Sequence, residues 1–541
     1  MTDPATPTPM GVTPGAGLTR LPAEPEAAVP GDTAAAPAPD RFLPAPSAAR
    51  RSLPPLALGW VVALSVTKVA FHLATSAMYG LHRDEFYYLA AGQHPAVGYV
   101  DQPPVTPLLY RLSAEVFGVS TVGLHVLPAL AGGALVVLAA LLARELGGGR
   151  VAQGLAGLVA LVAPLYLTPA HFLSTVTVDL LAWALASWLV IRLVRTGDTR
   201  LWIALGLVVG IGLENKHTMA LWCLGVAAGL LATPERRLLV SPWLSGGVAL
   251  AAACFVPNLV WQAEHHWASV EFISHLRQRV GTLNLVEFLP TQLGLVTVVG
   301  PVIWILGLRW MLRPGDGQRH RWLPLAYLAV LTVVLASSGK GYYVGSLYMP
   351  LVAAGAVVIE RSWDRRNQRR LAIAVAATGA AMAPLFTPIL PASALGVVPL
   401  ATVNPDLGAM LGWRHVVTEI AAVYRSLPAS QRANAVILTD YYSEAGALNY
   451  WRGSLGLPPA ISGHNNYWWW GWGHASQSAT TIAVGLPGAR LAPYFARVER
   501  VATLGDDHIQ IDPLEKGQPI WVCTGQRVPW AALWPHLRLY E

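Results

Sequence analysis

The chain has 541 residues, 54% of them hydrophobic and only 12% charged, with a mean hydropathy of +0.45. A water-soluble protein keeps about a quarter of its residues charged, so most of this surface faces something apolar. The net charge of +7 does not mark a nucleic-acid partner, because the basic residues flank apolar runs rather than forming one patch. The three cysteines, Cys223, Cys254 and Cys523, supply neither a disulfide framework nor a Cys-based metal site.

Residues 1–50 are rich in Pro, Ala, Thr and Gly and lack an apolar core run, which predicts a disordered cytoplasmic tail and not a signal peptide. From 51 to 394 the chain alternates apolar runs with polar joints. Eleven runs lie near 56–77, 122–143, 151–169, 175–194, 201–215, 217–233, 239–260, 291–311, 322–338, 344–360 and 371–390. About 20 apolar residues cross a hydrocarbon core. With a short, proline-broken stretch at 103–118, a mainly α, polytopic transmembrane helical bundle of about 11–13 spans is expected. Alternate connections are basic: Arg50 and Arg51, Arg144 and Arg150, Arg195 and Arg200, Arg236 and Arg237, Arg313 to Arg321, and Arg361 to Arg370. These should be cytoplasmic, and the first long loop, 78–121, should face out.

Residues 395–541 change character. Ala435–Thr439 and Thr481–Val484 have strand-like lengths and Trp413–Tyr424 is amphipathic, which predicts a small extracytoplasmic α/β domain.

The first outer loop concentrates the chemistry. His82-Arg83-Asp84-Glu85-Phe86-Tyr87-Tyr88 is followed by Gly98-Tyr99-Val100-Asp101-Gln102-Pro103-Pro104. On a helix, Asp84, Tyr87 and Tyr88 share one face. A carboxylate at the membrane exit can act as general base toward a hydroxyl. Equally, Asp84 and Glu85 suit the first turn of a helix, and Asp101 resembles an N-cap before an early proline. Asp179 and Lys216 interrupt apolar sequence, where a charge is costly and marks a functional candidate, unless it sits at the interface and snorkels or pairs with Glu214. In Ser337-Ser338-Gly339-Lys340-Gly341-Tyr342-Tyr343 a glycine-flanked lysine suits a phosphate at headgroup level, or serves as an interfacial anchor. His265 and His266 diverge on a helix and suit an interface better than a metal. The tryptophans of Gly463–His474 suit sugar stacking, a membrane interface or a local core. Walker loops, Cys-rich metal spacings and GxSxG elbows do not occur.

These stretches together resemble glycosyltransferase family 39 in the broad sense, the membrane-embedded GT-C group that includes protein O-mannosyltransferases and lipid A aminoarabinose transferases. The resemblance rests on Arg83-Asp84-Glu85-Phe86-Tyr87-Tyr88 and Gly98–Pro104. Support comes from Gly212-Leu213 with Lys216, Pro257-Asn258 with Trp261, Gly339–Tyr343 with Pro350, Tyr441–Ala447, and Gly463-His464-Asn465. It covers roughly 55–530. It implies a sugar carried on a polyprenyl phosphate and an acceptor hydroxyl on a glycan, lipid or protein at the outer face of the cell (plasma or inner) membrane. It implies Asp84 as catalytic base beside Glu85 and Asp101, with Asp179, Lys216 and Lys340 around the donor phosphate. Arg83, Tyr87, Tyr88, Tyr342, Tyr343, His464 and Asn465 are the further substrate-site candidates. Some relatives place a divalent metal near such carboxylates, which makes Asp84 and Asp179 its candidate ligands. The aminoarabinose transferases carry Glu-Lys-Pro where this chain has Asp101-Gln102-Pro103, and the extra lumenal domain of protein O-mannosyltransferases has no counterpart here.

One base and cations on the phosphate suffice for a single displacement with inversion, since polyprenyl phosphate is a good leaving group. Two other readings compete: a transporter, which would show inverted repeats and broken helices meeting at mid-membrane, and a non-enzymatic membrane sensor with an extracytoplasmic ligand-binding domain.

Overall fold

The apolar runs fold as α-helices, which pair the backbone polar groups of a single segment internally where no water can. The computed structural model describes residues 52–280, 285–393, 404–506 and 509–541. The expected tail over 1–50 and the expected boundary at 394/395 lie outside the described residues. Helix α1 (Leu58–Thr75) leads to α2 (Arg83–Gln93) and α3 (Val105–Phe117) of the first long loop. Then come α4 (Thr121–Glu145), α5 (Arg150–Val162), α6 (Pro164–His171), α7 (Thr175–Thr196), α8 (Leu201–Leu213), α9 (Met219–Leu231) and α10 (Pro242–Glu264). The bundle continues through α11 (Ala268–Val280), α12 (Leu285–Gly294), α13 (Gly300–Leu312), α14 (Trp322–Ala336), α15 (Tyr342–Gly345), α16 (Tyr348–Ser362) and α17 (Arg365–Phe386).

Among the described residues five helices, α1, α4, α7, α10 and α17, are long and apolar enough to cross a membrane singly; α5 and α6, bent by 58° at their break, are so only as a pair. The remaining apolar runs are helical but stop early. Helices α8, α9 and α13 have 13 residues each, and at 1.5 Å per residue reach only about 20 Å. The polar joint Glu214–Thr218 separates α8 from α9 and ends both short of a full crossing.

At the α5–α6 break Pro164 has no N–H to offer, and carbonyls at the end of α5 need other donors. Lys68 of α1, fully buried, supplies them: its Nζ donates to the carbonyls of Ala160, Leu161 and Tyr166 at 3.2, 2.9 and 2.8 Å. The short helices pack in pairs through glycine. A β-carbon on Gly229 of α9 would fall on the Trp322 carbonyl of α14, and one on Gly355 of α16 on the Ile303 carbonyl of α13. Close backbone approach of this kind replaces the hydrophobic drive that lipid removes.

The basic connections meet at one end of the bundle. Arg195 pairs with Glu145 at 2.6 Å, and Glu360 accepts from the N–H groups of Gly149 and Val151 at 2.5 and 2.8 Å. At the other end α2 and α3 lie against the C-terminal region. There β1 (Val436–Thr439), β2 (Ala460–Ser462), β3 (Thr481–Val484), β4 (Phe495–Thr503) and β5 (Pro519–Gln526) form a sheet in the order β2-β1-β3-β5-β4. Strands β2, β1 and β3 are parallel, and β5 runs antiparallel to both β3 and β4. Every residue of β1 and β3 is buried, as expected for strands covered on both faces.

The helices that accompany the sheet include α18 (Pro405–Gly408), α19 (Trp413–Ser426), α20 (Tyr442–Leu455), α21 (Asn466–Trp470) and α22 (Trp530–Leu537). The carboxyl ends of β1 and β2 feed α20 and α21, and that edge faces α2. Phe86 of α2 sits among the rings of Trp413, Tyr450 and Trp451 at 5.5, 5.7 and 5.5 Å. Gly446 gives α20 the room to reach it.

Substituting Gly229→Val should separate α9 from α14. We expect loss of monodisperse protein in detergent, or a melting temperature several degrees lower, whereas Gly59→Ala, in open space, should leave both unchanged.

Candidate active site

Helix α2 opens on a capping box. His82 Nδ1 accepts from the Asp84 N–H at 3.1 Å, and Glu85 accepts from the His82 N–H at 2.8 Å. Adjacent residues on a helix diverge, and the two acids part accordingly. Glu85 turns inward and is fully buried, where Tyr110 donates to it at 2.8 Å and His125 Nε2 lies at 3.1 Å. Its carboxylate is committed to holding the helix. Asp84 turns the other way, keeps 32% of its side chain exposed, and accepts from the Tyr442 hydroxyl at 2.9 Å.

Asp101 joins the same side. Tyr87 donates to it at 2.7 Å. Burial pushes the Asp101 carboxyl up to about 7; the Tyr87 hydrogen bond opposes this and the Asp84 charge adds to it. The capping reading of Asp101 is corrected: α3 starts at Val105 with Pro104 at its N-cap. The next backbone N–H, that of Val100, donates to Asn466 at 2.6 Å, so the C-terminal region fixes this loop too.

His82 lies between two carboxylates, with Nδ1 3.7 Å from Asp84 and Nε2 3.7 Å from Asp406. Burial alone would lower its pKa, but the flanking acids prevail and raise it. Burial would raise Asp406, but His82 and Arg83 hold it below the usual range. Arg83 itself reaches Asp512 at 3.6 Å.

The cations gather beside α15. Lys216 Nζ lies over the rings of Tyr342 and Tyr343 at 5.2 and 5.3 Å. The alternative pairing of Lys216 with Glu214 is not among the ion pairs of the described residues. Asp179, buried near the start of α7, accepts from Thr218 at 2.9 Å, two residues beyond Lys216. Lys340 is exposed on a turn in which Ser338 takes a φ of 53°. Tyr88 links the two sides, within electrostatic reach of Asp84, Asp101 and Tyr342.

His464 and Asn465 act at one remove. His464 Nδ1 accepts from the Tyr442 N–H at 3.2 Å and its ring stacks on that of Tyr442, which in turn stacks on Tyr87, each pair 4.6 Å apart. Asn465 Nδ2 donates to the Glu541 carbonyl at 3.2 Å. The tryptophans serve the junction between sheet and bundle: Trp468 donates to the Trp534 carbonyl, Trp469 to Tyr540, and Trp470 stacks on His94 at 4.4 Å. His265 stacks on Trp261 at 3.9 Å.

Among the described residues no three His, Cys, Asp or Glu side chains are placed to hold a metal ion, and Asp84 and Asp179 acquire no third donor. Tyr442, Asp406 and Asn466 are the site residues that sequence reasoning missed. Tyr441–Ala447 signalled the first as part of a motif; Asp406 and Asn466 carry no local signal.

The Dolichyl-phosphate-mannose-protein mannosyltransferase family matches residues 101–261 of the chain. Its fold is similar to that of ArnT from Cupriavidus metallidurans bound to undecaprenyl phosphate, with 16% identity, 86% of this chain and 98% of that one covered, and a TM-score of 0.57. The chain has a GT-C fold. Apo ArnT from the same organism gives a TM-score of 0.55 at 15% identity, with 86% of this chain and 98% of that chain covered. The oligosaccharyltransferase of Archaeoglobus fulgidus gives 0.45 at 13%, covering 75% of this chain and 64% of that one. No curated protein sequence matches. On this GT-C scaffold the loop with Asp84 and Asp101 faces the α15 corner, and the C-terminal sheet supplies Tyr442.

Beneath Tyr442 a carboxyl pair, Glu444 and Glu515, is buried at 1% and 3% exposure. Burial and then the charge of Glu515 raise Glu444 well above the usual range; burial pushes Glu515 up to about 7, with Asp512 adding to it. Between about pH 4.3, the unfolded value, and about pH 7 the folded pair holds a proton that the unfolded chain has released. Stability should therefore fall as pH rises through that window. In melting curves from pH 4.5 to 8, Glu444→Gln should show a shallower fall than wild type. Parallel curves would mean that the pair does not titrate there.

Proposed function

We propose that the protein transfers a sugar from a polyprenyl-phosphate-linked donor to an acceptor hydroxyl of a glycan, lipid or protein, at the outer face of the cell membrane and with inversion at the sugar. The observation that carries this reading is the split of Asp84 from Glu85. One carboxylate is consumed by structure; its neighbour is open to solvent, beside Asp101 and across Tyr88 from Lys216, Lys340 and their tyrosines. A similar fold with undecaprenyl phosphate bound supports the donor class. The sidedness is supported by the basic connections, which gather away from the site.

In this mechanism Asp84 takes the proton as the acceptor oxygen attacks the anomeric carbon, and the bond from that carbon to the phosphate oxygen breaks. The electron pair leaves with the phosphate, whose growing charge Lys216 and Lys340 meet. Charge-assisted contacts of roughly 1.5–3 kcal/mol that strengthen as the phosphate departs lower the barrier rather than merely tightening binding. Glu85 cannot act as a second carboxylate for a double displacement, because it points into the bundle. Tyr442 orients Asp84 and keeps its charge partnered until the acceptor arrives.

Asp84→Asn should lower transfer from a labelled polyprenyl-phosphate sugar by about 10²–10⁴-fold while expression and melting temperature stay near wild type. Half the wild-type rate in this variant would remove Asp84 as the base. Tyr442→Phe, which loses one hydrogen bond to a charged group, should cost about tenfold. An unchanged rate would reduce Tyr442 to packing.

A further inference from the structure

The loop that carries Lys340 is tied down from below by a residue with no part in the chemistry described above. Gln292 of α12 is buried at 6% exposure. Its Nε2 donates to the Gly341 carbonyl at 3.0 Å, and its Oε1 accepts from the Tyr348 hydroxyl at 2.9 Å. A buried amide is costly unless both halves are paired. Here each half is paired to a different element, one to the loop and one to α16, so the amide has a single orientation.

The neighbours make that orientation stiff. Tyr348 is fully buried, 5.2 Å from the Trp304 ring and 5.9 Å from that of Tyr327, whose hydroxyl lies 3.4 Å from its own. On the loop side Gly341 packs closely on the amide: a β-carbon there would crowd the Gln292 amide nitrogen at 3.0 Å. Glycine at 341 thus lets the loop descend onto the amide. The adjacent Lys340 carbonyl accepts from the Tyr343 N–H at 3.0 Å, so fixing Gly341 also fixes the turn that presents Lys340 and the two tyrosines.

We infer that Gln292 is a positioning residue for the donor phosphate, acting by holding the Gly341 carbonyl and through it the Lys340 turn. This rests on the function proposed above. A lysine is a point charge on a flexible stem, so its contribution depends on where the backbone puts it. A core contact of α12 without this role would accept a similarly sized apolar or acidic side chain at no cost to phosphate binding.

Binding of undecaprenyl phosphate to the purified full-length protein, measured by intrinsic tryptophan fluorescence, tests this. Gln292→Ala should weaken binding about fivefold, the effect of one neutral hydrogen bond. Gln292→Met keeps the length and volume of the side chain but cannot donate to Gly341, so it should weaken binding at least as much while filling the same space. It decides the matter if Gln292→Ala does not fold. In turnover assays the donor KM should rise in both variants while the acceptor KM stays at wild type. Adding Gln292→Ala to Lys340→Met should cost less than fivefold, because the two residues act as one unit. The inference is overturned if Gln292→Met binds as wild type, if donor and acceptor KM rise together, or if the double variant shows the full product of the single losses. A wild-type protein that does not bind undecaprenyl phosphate would instead overturn the donor reading itself, and this inference with it.

Discussion

The placement of Asp84, the base proposed above, depends on the buried charge next to it. Glu85 has no exposed surface, and a buried carboxylate is tolerated only when donors surround it. The His82 amide, Tyr110 and His125 provide them from the N-cap of α2, from α3 and from α4. Three helices are thereby tied at one point, and the first turn of α2 can take only one position. Asp84, one residue earlier, is aimed by that knot without spending its own oxygens on it.

The C-terminal sheet closes the site for a similar reason. Ligand-facing loops in parallel α/β sheets follow the carboxyl ends of the strands. Here the ends of β1 and β2 carry Tyr442, His464 and Asn466 toward α2. The stack of Tyr87, Tyr442 and His464 spans the junction, so sheet and bundle share one aromatic column rather than merely touching.

Much of this was legible in the chain. The helical bundle followed from apolar runs and charge asymmetry, and β1, β3 and α19 fell where alternation and amphipathicity put them. The site was legible where residues sit close in sequence, as in Arg83–Tyr88. It was opaque where partners come from far away: Tyr442 lies 358 residues from Asp84, and Asp406 and Asn466, in the short helices α18 and α21, meet His82 and Tyr87 only once the chain has folded. The length of the helices was also hidden. Composition marks a run as apolar without showing where a polar joint ends it, and Lys68 shows that a buried lysine in a span can serve a helix break rather than a substrate.

Helix length bears directly on the chemistry. A lipid-linked phosphate sits at headgroup level with its chain in the hydrocarbon, so its cations must stand where a free charge would be costly. Helices α8 and α9 end about 10 Å short of a full 30 Å crossing, which leaves the Glu214–Thr218 joint recessed when their far ends are level with the other spans. There Lys216 lies half-buried over two aromatic faces with Asp179 nearby, while Lys340 stands exposed on the neighbouring turn. On the function proposed above, a phosphate held between the two lysines keeps its chain on the lipid side and presents its sugar toward Asp84.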